Sequence, residues 1–206
     1  DARGVVVRSF SSEGACETAT TEPSMCQMIT VRDGAPRLPR NPGMNRFTWD
    51  LTLPGAWSMI AAQSGRNGPT IVPGRYQVRL TAGTTTVAQS LTVRIDPRAA
   101  ADGITIADLQ AQYDHNVKVR NLVTEVNRLV ATLDEQRRRL AGAGATAADT
   151  VRGINALRAT VVTPPVRYSR PALQSHIQYL YCLTSQADQR IGRDATERYV
   201  TLRQEL

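Results

Sequence analysis

Few residues of this chain have the types and spacing that catalysis or metal binding requires. The sequence holds two histidines, His115 in "YDHN" and His176, and neither has the His-x-x-x-His or Glu-x-x-His spacing of a helical metal site. Asp114 beside His115 could support a metal or base role only if another element brought a further ligand to them. There is no Gly-x-Ser-x-Gly elbow, no phosphate-binding loop and no cysteine with a plausible histidine base. The sequence therefore predicts no catalytic residue, no metal site and no cofactor, and places both histidines on polar helix faces.

The three cysteines carry more information about the compartment than about chemistry. Cys16 and Cys26 bracket "ETATTEPSM", a polar segment that offers little core in which to bury a thiol. A disulfide between them would close a loop of about ten residues and stabilise the fold by roughly 2.5 to 3 kcal/mol. We predict this disulfide, and hence a periplasmic or extracellular location; the alternative is two free thiols in a cytosolic loop. Cys182, in "HIQYLYCLTS", is interpreted as a buried thiol.

The charge of the chain does not indicate a nucleic-acid partner. The formal net charge is +7, but the basic residues are almost all arginine, with Lys118 as the only lysine. The densest cluster is the three arginines at 137–139, which are separated from Asp134 and Glu135 by one glutamine. No aromatic residues are interleaved with them to stack bases. Charge runs of this kind are usually solvated helix faces. No apolar run approaches the roughly 18 residues that span a bilayer, so we expect no transmembrane segment.

Two hydrophobic periods divide the chain. Up to about residue 97 the apolar residues alternate, which predicts strands separated by Gly, Pro, Asn and Ser, at 4–10, 45–53, 74–82 and 86–95. Pro73-Gly74 opens the third of these, and "GTTT" before the fourth predicts a hairpin. We therefore predict an Ig/fibronectin III-like β-sandwich over residues 1–97, with a disulfide-stapled loop at 14–39.

After residue 97 the period becomes helical. A capping box of Thr105 and Asp108 predicts the start of a long helix that ends before "GAGA" at 142–145. Three further amphipathic stretches follow, opened by the signals Thr146 with Asp149, Pro171, and Asp194 with Glu197. Four amphipathic helices with short connections predict an antiparallel bundle over residues 98–206.

The strings "GMNRFTWDL", "GPTIVPGRYQVRL", "LTVRIDPR" and "TIADLQAQYDHNVKVRNLVTEVNRLV" resemble the C-terminal tails of large secreted bacterial β-propeller proteins. These are sortilin-like, BNR-repeat proteins, often labelled glycosyl hydrolases, in which an Ig or fibronectin-like module precedes a helical hairpin or bundle. The resemblance covers residues 1–13 and 40–206 and excludes the cysteine loop. It implies a sandwich whose first strand lies upstream of "DARG", and it implies nothing about catalysis, because the propeller is not in this sequence.

The stretch "GMNRFTWD" is interpreted as scaffold. Gly43 permits a turn, Asn45 can hydrogen-bond its own local backbone, and Trp49 is the large side chain around which the sandwich core is expected to close. Asp50 would point to the opposite face. The alternative, a Trp-Asp carbohydrate subsite, is disfavoured because a strand of period two cannot place both side chains on one surface.

The connection from Leu53 to Pro73 holds the candidate interface residues. It is long for a sandwich connection, and loops of such length in compact domains are usually functional or disordered. Trp, Met and Arg are enriched at the centres of protein interfaces, so the candidates are Trp57, Met59, Ile60 and Arg66. The alternative is that these side chains fold back as a lid over one open end of the sandwich.

These observations together predict a non-catalytic, exported module that binds other protein subunits. One such setting is a peripheral periplasmic subunit that stabilises a membrane-associated complex, for example a respiratory or photosynthetic one. The alternative is an accessory C-terminal module of a secreted β-propeller protein of glycosyl-hydrolase type. The length of the full gene product distinguishes the two, because only the second requires a propeller upstream.

Overall fold

The computed structural model describes residues 1, 4–12, 38–60, 63–141 and 147–206 of the chain. The described part contains one two-stranded antiparallel sheet followed by helices. No helix in these ranges is long and apolar enough to cross a membrane. The elements in chain order are β1 (Gly74–Ala82), β2 (Thr85–Val93), α1 (Pro97–Ala101), α2 (Ile106–Leu140), α3 (Ala148–Val161), α4 (Leu173–Ser185) and α5 (Arg193–Glu205).

The core of the molecule lies between the helices. Helix α2 packs against α3, α4 and α5, and α4 also packs against α3 and α5. The buried apolar side chains recur at three- and four-residue spacing along α2, as expected for a helix with one face toward a core. The central cluster consists of Val119, Leu122, Val123, Val126, Val130, Val161, Leu173, Ile177, Leu180 and Leu202. The helical part of the sequence prediction is confirmed.

The start of α2 is fixed by local hydrogen bonds. The Thr105 hydroxyl accepts from the Asp108 amide at 3.1 Å, and the Asp108 carboxylate accepts from the Thr105 amide at 2.9 Å. This is the capping box that the sequence predicts, and it satisfies two backbone donors that a helix start otherwise leaves unpaired. Later in the chain, Leu157 of α3 and Val200 of α5 are exposed, and α3 contributes Val161 to the core.

The predicted β-sandwich is wrong. Residues 4–10 and 45–53 form no strand, and outside β1 and β2 the described residues form only one isolated bridge, between Thr52 and Thr70. The alternation of "GVVVRSF" does not produce a strand because a strand needs a hydrogen-bonded neighbour as well as a buried face, and Val5 and Val6 are exposed. Leu51, with a φ of 59°, interrupts the second stretch.

Trp49 and Asp50 stabilise a local turn. The Trp49 indole N–H donates to the Thr52 carbonyl at 3.0 Å, and Asp50 Oδ1 accepts from the Thr52 amide and hydroxyl. Trp49 is half-buried, and its ring lies edge-on to Phe10, whose own ring is tilted by 59° against that of Phe47 at 4.7 Å between ring centres. Trp49 therefore belongs to a small aromatic cluster, and the expectation that it fills a sandwich core is wrong.

The turn that precedes Trp49 follows the sequence prediction. Gly43 adopts a φ of 90°, a conformation that favours glycine. The Asn45 amide group donates to the carbonyls of Asn41 at 2.9 Å and Gly43 at 3.1 Å, and its oxygen accepts from the Asn41 amide. The predicted bonding of Asn45 to its local backbone is confirmed.

His115 lies inside the bundle, so its assignment to a polar helix face is wrong. It is buried in α2 with its ring edge-on to Tyr199 of α5, at 6.1 Å between ring centres. Its Nε2 atom is buried without a hydrogen-bond partner among the described residues. Burial, and secondarily the positive charge of Lys118, lower the pKa of the His115 imidazole.

We expect the protein to lose stability as the pH falls below neutrality. The folded pKa of His115 lies below its unfolded value of about 6.5, so its contribution is complete above that pH and is lost as the pH falls toward the folded pKa. Urea unfolding between neutral and mildly acidic pH measures this decline. His115→Gln should flatten it, whereas the matched variant His176→Gln should retain it. An undiminished decline in His115→Gln would show that another group is responsible.

Candidate interaction surface

The hairpin of β1 and β2 is regular along its whole length. Each strand has nine residues, and the register runs without a bulge from Gly74 opposite Val93 to Ala82 opposite Thr85. The two-residue turn begins at Gly83, whose φ of 59° suits a tight hairpin turn. The predicted hairpin is confirmed, but no other described strand extends its sheet.

The two faces of the hairpin differ in chemistry. Residues directly opposite each other in an antiparallel pair share a face, so the register places Leu80 beside Val87. We call the resulting surface the apolar hairpin face. Its apolar side chains are those of Tyr76, Val78, Leu80, Ala82, Val87, Leu91 and Val93, and the register also places Gln89 opposite Val78 and Thr85 opposite Ala82 on this face. The other face carries Arg75, Gln77, Arg79, Thr81, Thr86, Ala88, Ser90 and Thr92. The alternation that predicts a strand over residues 74–82 therefore separates apolar from polar side chains in β1.

The apolar hairpin face is covered at its base and bare toward its turn. At the base, the Tyr76 hydroxyl donates to the Val72 carbonyl at 2.6 Å, and burial together with nearby Tyr113 raises the Tyr76 pKa. Toward the turn, Val78, Leu80 and Val87 expose 49%, 50% and 57% of their surface. Val78, Leu80 and Val87 are neighbours on this face and form one small contiguous apolar patch, and contiguous exposed apolar patches mark interaction sites more often than scattered residues do.

Trp57 lies against helix α2. Its amide donates to the Thr124 hydroxyl at 3.1 Å, and its carbonyl accepts from Asn127 Nδ2 at 2.7 Å. The Arg128 guanidinium lies 5.9 Å from the centre of the indole ring, within range of a cation–π interaction. The half-buried indole is therefore attached to the bundle, and the predicted lid over a sandwich end is wrong because the described chain has no sandwich.

The other three candidate interface residues lie together. Met59, Ile60 and Arg66 line a cleft of about 270 Å³ between the connection and helices α2 and α4. Met59 and Ile60 are exposed, whereas Trp57 does not line this cleft. The structure therefore places Met59 and Ile60 as a small accessible apolar patch at its edge.

The state of the cysteines is a separate question, because Cys16 and Cys26 lie outside the described residues. Cys182 is buried in α4, and its sulfur accepts a hydrogen bond from Gln186 Nε2 at 3.2 Å. It is disulfide-bonded, so its interpretation as a free buried thiol is wrong. An intrachain bridge from Cys182 competes with the Cys16–Cys26 pairing, since the sequence has only three cysteines.

We expect non-reducing proteolysis followed by mass spectrometry to find a disulfide in the native protein. Because Cys182 is disulfide-bonded and buried, both denaturation and reduction should be needed before its sulfur reacts with an alkylating reagent. The linked peptides will show whether Cys16 pairs with Cys26 or either pairs with Cys182. Three alkylatable thiols in unreduced protein would contradict both the bridge and an oxidising compartment.

The arginine cluster of α2 is paired with neighbouring carboxylates. Arg138 and Arg139 lie 2.7 Å from Glu135, and Arg137 lies 3.3 Å from Asp134. Asp134 also forms an ion pair with Arg158 of α3, with 2.7 Å between Asp134 Oδ1 and Arg158 Nε. These ion pairs are those of a solvated charged helix face. Across the part of the chain that the structure describes, no cluster of His, Cys, Asp or Glu could hold a metal ion.

Comparison of the chain with family models, curated proteins and solved structures found no match. The resemblance to tails of secreted β-propeller proteins stays a prediction. Sequence reasoning did not include any of the bare hairpin residues Val78, Leu80 and Val87 among the interface candidates. The signal of Val87 was present in the alternation of "TVAQSLTV", but a sandwich would have covered that face.

Proposed function

We propose that this chain is a non-catalytic, exported module that binds another protein through the apolar hairpin face. The observation that carries the proposal is the exposure of Val78, Leu80 and Val87 on one side of a regular hairpin. No described element of the chain covers these side chains. The function is therefore assigned to a surface, and Met59 and Ile60 are a second candidate contact.

An uncovered hairpin gains from a partner in two ways. Two-stranded sheets are marginally stable in water unless a third strand or a packed surface supports them. The outer edges of β1 and β2 also present unpaired backbone groups, which another strand can bind by β-augmentation. The hairpin has neither a proline nor a bulge within its strands, the devices that commonly block such pairing.

The residues of the hairpin favour a protein over a lipid bilayer as the occupant. The turn end is polar, with Thr81, Thr84, Thr85 and Thr86 and no aromatic residue. A hairpin that inserts into a membrane would instead place aromatic or apolar residues at its leading end. The apolar side chains here lie along the middle of the strands, where a protein surface laid across the face would contact them.

The apolar hairpin face is too small to form a stable homodimer by itself. Nine residues at about 3.4 Å each give strands about 30 Å long, and two strands are about 10 Å wide. Two such faces would bury roughly 600 Å² in total, below the roughly 1,200 Å² of stable interfaces. A different partner that also contacts an edge or the bundle can bury more.

The positive charge of the hairpin favours a partner with acidic residues. Arg75 and Arg79 lie on the polar face, and β1 and β2 contain no acidic residue. Acidic residues at the rim of the partner would therefore be attracted toward the hairpin as the two proteins approach, since charge complementarity speeds association. A subunit of a periplasmic membrane complex is one setting that fits such a partner.

A pair of triple variants tests the proposal. Val78→Thr, Leu80→Thr and Val87→Thr together remove the exposed apolar groups and keep β-forming residues. The matched control, Gln77→Thr with Ala88→Thr and Ser90→Thr, changes three residues on the opposite face. We expect both proteins to retain the helical circular dichroism spectrum and melting temperature of the bundle. Only the first should lose its co-purifying partner in a tagged pull-down from the native host. Retention of the same partner by both would overturn the proposal.

A further inference from the structure

The loop between α3 and α4 presents an aromatic side chain directly to solvent. We call residues 163–171 the tyrosine loop. Within it, Tyr168 is 90% exposed and Val166 is 67% exposed. The two prolines before them, Pro164 and Pro165, are exposed as well. Large apolar side chains that stand close together in water indicate a contact site more strongly than scattered ones do.

A closed β-turn holds these side chains in one place. The Ser169 amide and hydroxyl both donate to the Val166 carbonyl, at 3.1 Å and 2.6 Å. Arg167 and Tyr168 are therefore the two central residues of the turn, from which side chains point away from the flanking chain. The Arg167 guanidinium lies 5.0 Å from the centre of the Tyr168 ring. The aromatic ring and a positive charge thus protrude side by side.

The base of the tyrosine loop is fixed to α4. The Ala172 amide donates to the Thr163 hydroxyl oxygen at 2.9 Å, and the hydroxyl groups of Thr163 and Ser175 are hydrogen-bonded at 2.7 Å. Both ends of the loop are therefore tied to the bundle. The protruding turn is a preorganised feature, so little conformational entropy is lost when it is bound.

The backbone of Tyr168 is not explained by the needs of the fold. Its φ is 63°, a left-handed conformation that Gly and Asn adopt far more readily than a bulky residue does. Its hydroxyl group makes no hydrogen bond to a described residue. Glycine or asparagine would suit the turn better. Non-glycine residues held in such conformations cluster at binding sites.

The tyrosine loop is positively charged and has no compensating acid. Arg167 and Arg170 are exposed, and neither pairs with a described carboxylate. The sequence contains no Asp or Glu over residues 150–187, a run that covers most of α3, the loop and all of α4. Asp134 of α2 approaches the end of α3, but its carboxylate is held by Arg158 at 2.7 Å. An anionic partner is therefore expected at the loop.

An anionic lipid bilayer fits this combination better than a protein does. Tyrosine concentrates at membrane–water interfaces, and arginine is attracted to the phosphates of an anionic surface. A bilayer accepts a protruding turn without a complementary pocket. A stable protein interface buries about 800 Å² on each partner, more than one β-turn offers. The turn of the hairpin, which has threonines and no aromatic residue, lacks these features.

We propose that the tyrosine loop is a contact site for an anionic phospholipid surface. The Tyr168 ring lies among the headgroups, Val166 reaches the boundary of the acyl chains, and Arg167 and Arg170 face the lipid phosphates. One turn gives weak and reversible attachment, since stable anchoring takes two signals. The contact therefore orients the protein on a membrane and does not anchor it there. The proposal is independent of the partner of the hairpin.

Flotation with lipid vesicles tests the charge requirement. We expect the chain to float with vesicles of phosphatidylcholine and phosphatidylglycerol mixed at about two to one, and not with pure phosphatidylcholine. Arg167→Gln with Arg170→Gln should weaken binding about thirtyfold, because each arginine near an anionic surface contributes about fivefold. The control, Arg75→Gln with Arg79→Gln, removes the same charge from the hairpin. It should have a much smaller effect, because salt screens charges that lie more than about 10 Å from the membrane.

A second pair of variants tests the apolar contact at constant charge. Val166→Ser with Tyr168→Asn should weaken vesicle binding about tenfold through the loss of buried apolar groups. Asparagine suits the left-handed position, so the melting temperature should not fall. The control Tyr179→Gln changes an exposed tyrosine of α4 and should leave flotation unchanged. The triple variant of the apolar hairpin face should also float as the unmodified chain does, which separates the two proposals.

Three results would overturn the lipid assignment. The first is a lack of flotation with the anionic vesicles. The second is equal weakening by the two arginine pairs, which would mean general adsorption of a basic protein. The third is unchanged flotation of Val166→Ser with Tyr168→Asn; if that variant also loses a co-purifying protein, the tyrosine loop is a protein contact instead.

Discussion

Gly68→Ala is expected to lower the free energy of unfolding by about 3 kcal/mol. A Cβ atom at Gly68 would overlap the backbone carbonyl of Leu53. The two chain segments are also fixed at this spacing, because the Leu53 amide donates to the Pro69 carbonyl at 2.8 Å and the Ile71 amide to the Leu51 carbonyl at 2.8 Å. Backbone atoms cannot rotate away as a flexible side chain would, so the connection from 53 to 73 must open.

Urea denaturation of Gly68→Ala beside Gly153→Ala measures the effect. Gly153 lies in α3 with open space where a Cβ would stand, so alanine there should raise stability by about 0.5 to 1 kcal/mol. Opposite signs for the two variants are the expected result. A Gly68→Ala protein as stable as the unmodified chain would show that the two segments are not in contact in solution.

Ile177→Ala is expected to cost about 2 to 5 kcal/mol, the range for deleting a large aliphatic side chain from a packed core. Ile177 of α4 is 0% exposed and belongs to the central cluster with Leu122 and Val126 of α2. Removal of its side chain leaves a cavity where α4 meets α2. The lost contacts and the cavity both lower stability.

The matched control for this truncation is Leu183→Ala on the same helix. Leu183 is 47% exposed, so its loss should change stability much less. The melting temperatures of the two variants are compared by monitoring the helical circular dichroism signal during thermal unfolding. Equal melting temperatures for Ile177→Ala and Leu183→Ala would contradict the placement of the core between α2 and α4.

The helical half of the chain was predictable because its signals are local. Thr105 and Asp108 define the start of α2 through bonds within one turn, and the apolar spacing around Leu122 and Val126 determines which side faces the core. The hairpin was predictable for the same reason, since Gly83 and the alternation of β1 and β2 act over a few residues.

The N-terminal half was not predictable because strand formation depends on distant partners. Residues 4–10 alternate as a strand would, yet no described segment pairs with them. Once the sandwich is absent, Trp49 becomes part of a local aromatic cluster and the side chains of Val78 and Leu80 become exposed. Whether an alternating hairpin face is buried is a tertiary property that its own sequence does not carry.

The candidate sites also divide into features that follow from local sequence and features that depend on contacts between distant residues. The length and composition of the connection indicated Met59, Ile60 and Arg66, and these residues do meet at one cleft. The buried Asn116 Oδ1 atom has no hydrogen-bond partner among the described residues, and this could not be foreseen, because the bond of its amide nitrogen to Thr184 joins residues far apart in sequence. The sequence shows only that two polar residues, Gln112 and Asn116, lie one turn apart beside the apolar positions of α2.

Site-specific photo-cross-linking in the native host tests the hairpin interface most directly. A benzophenone amino acid is placed at Leu80 in one protein and at Arg79 in a second, since these adjacent residues lie on opposite faces of β1. If the apolar hairpin face binds a partner protein, position 80 should cross-link to one defined protein in high yield and position 79 should do so only weakly. No cross-link from position 80, or the same products in equal yield from both positions, would contradict the assignment of this face as the binding surface.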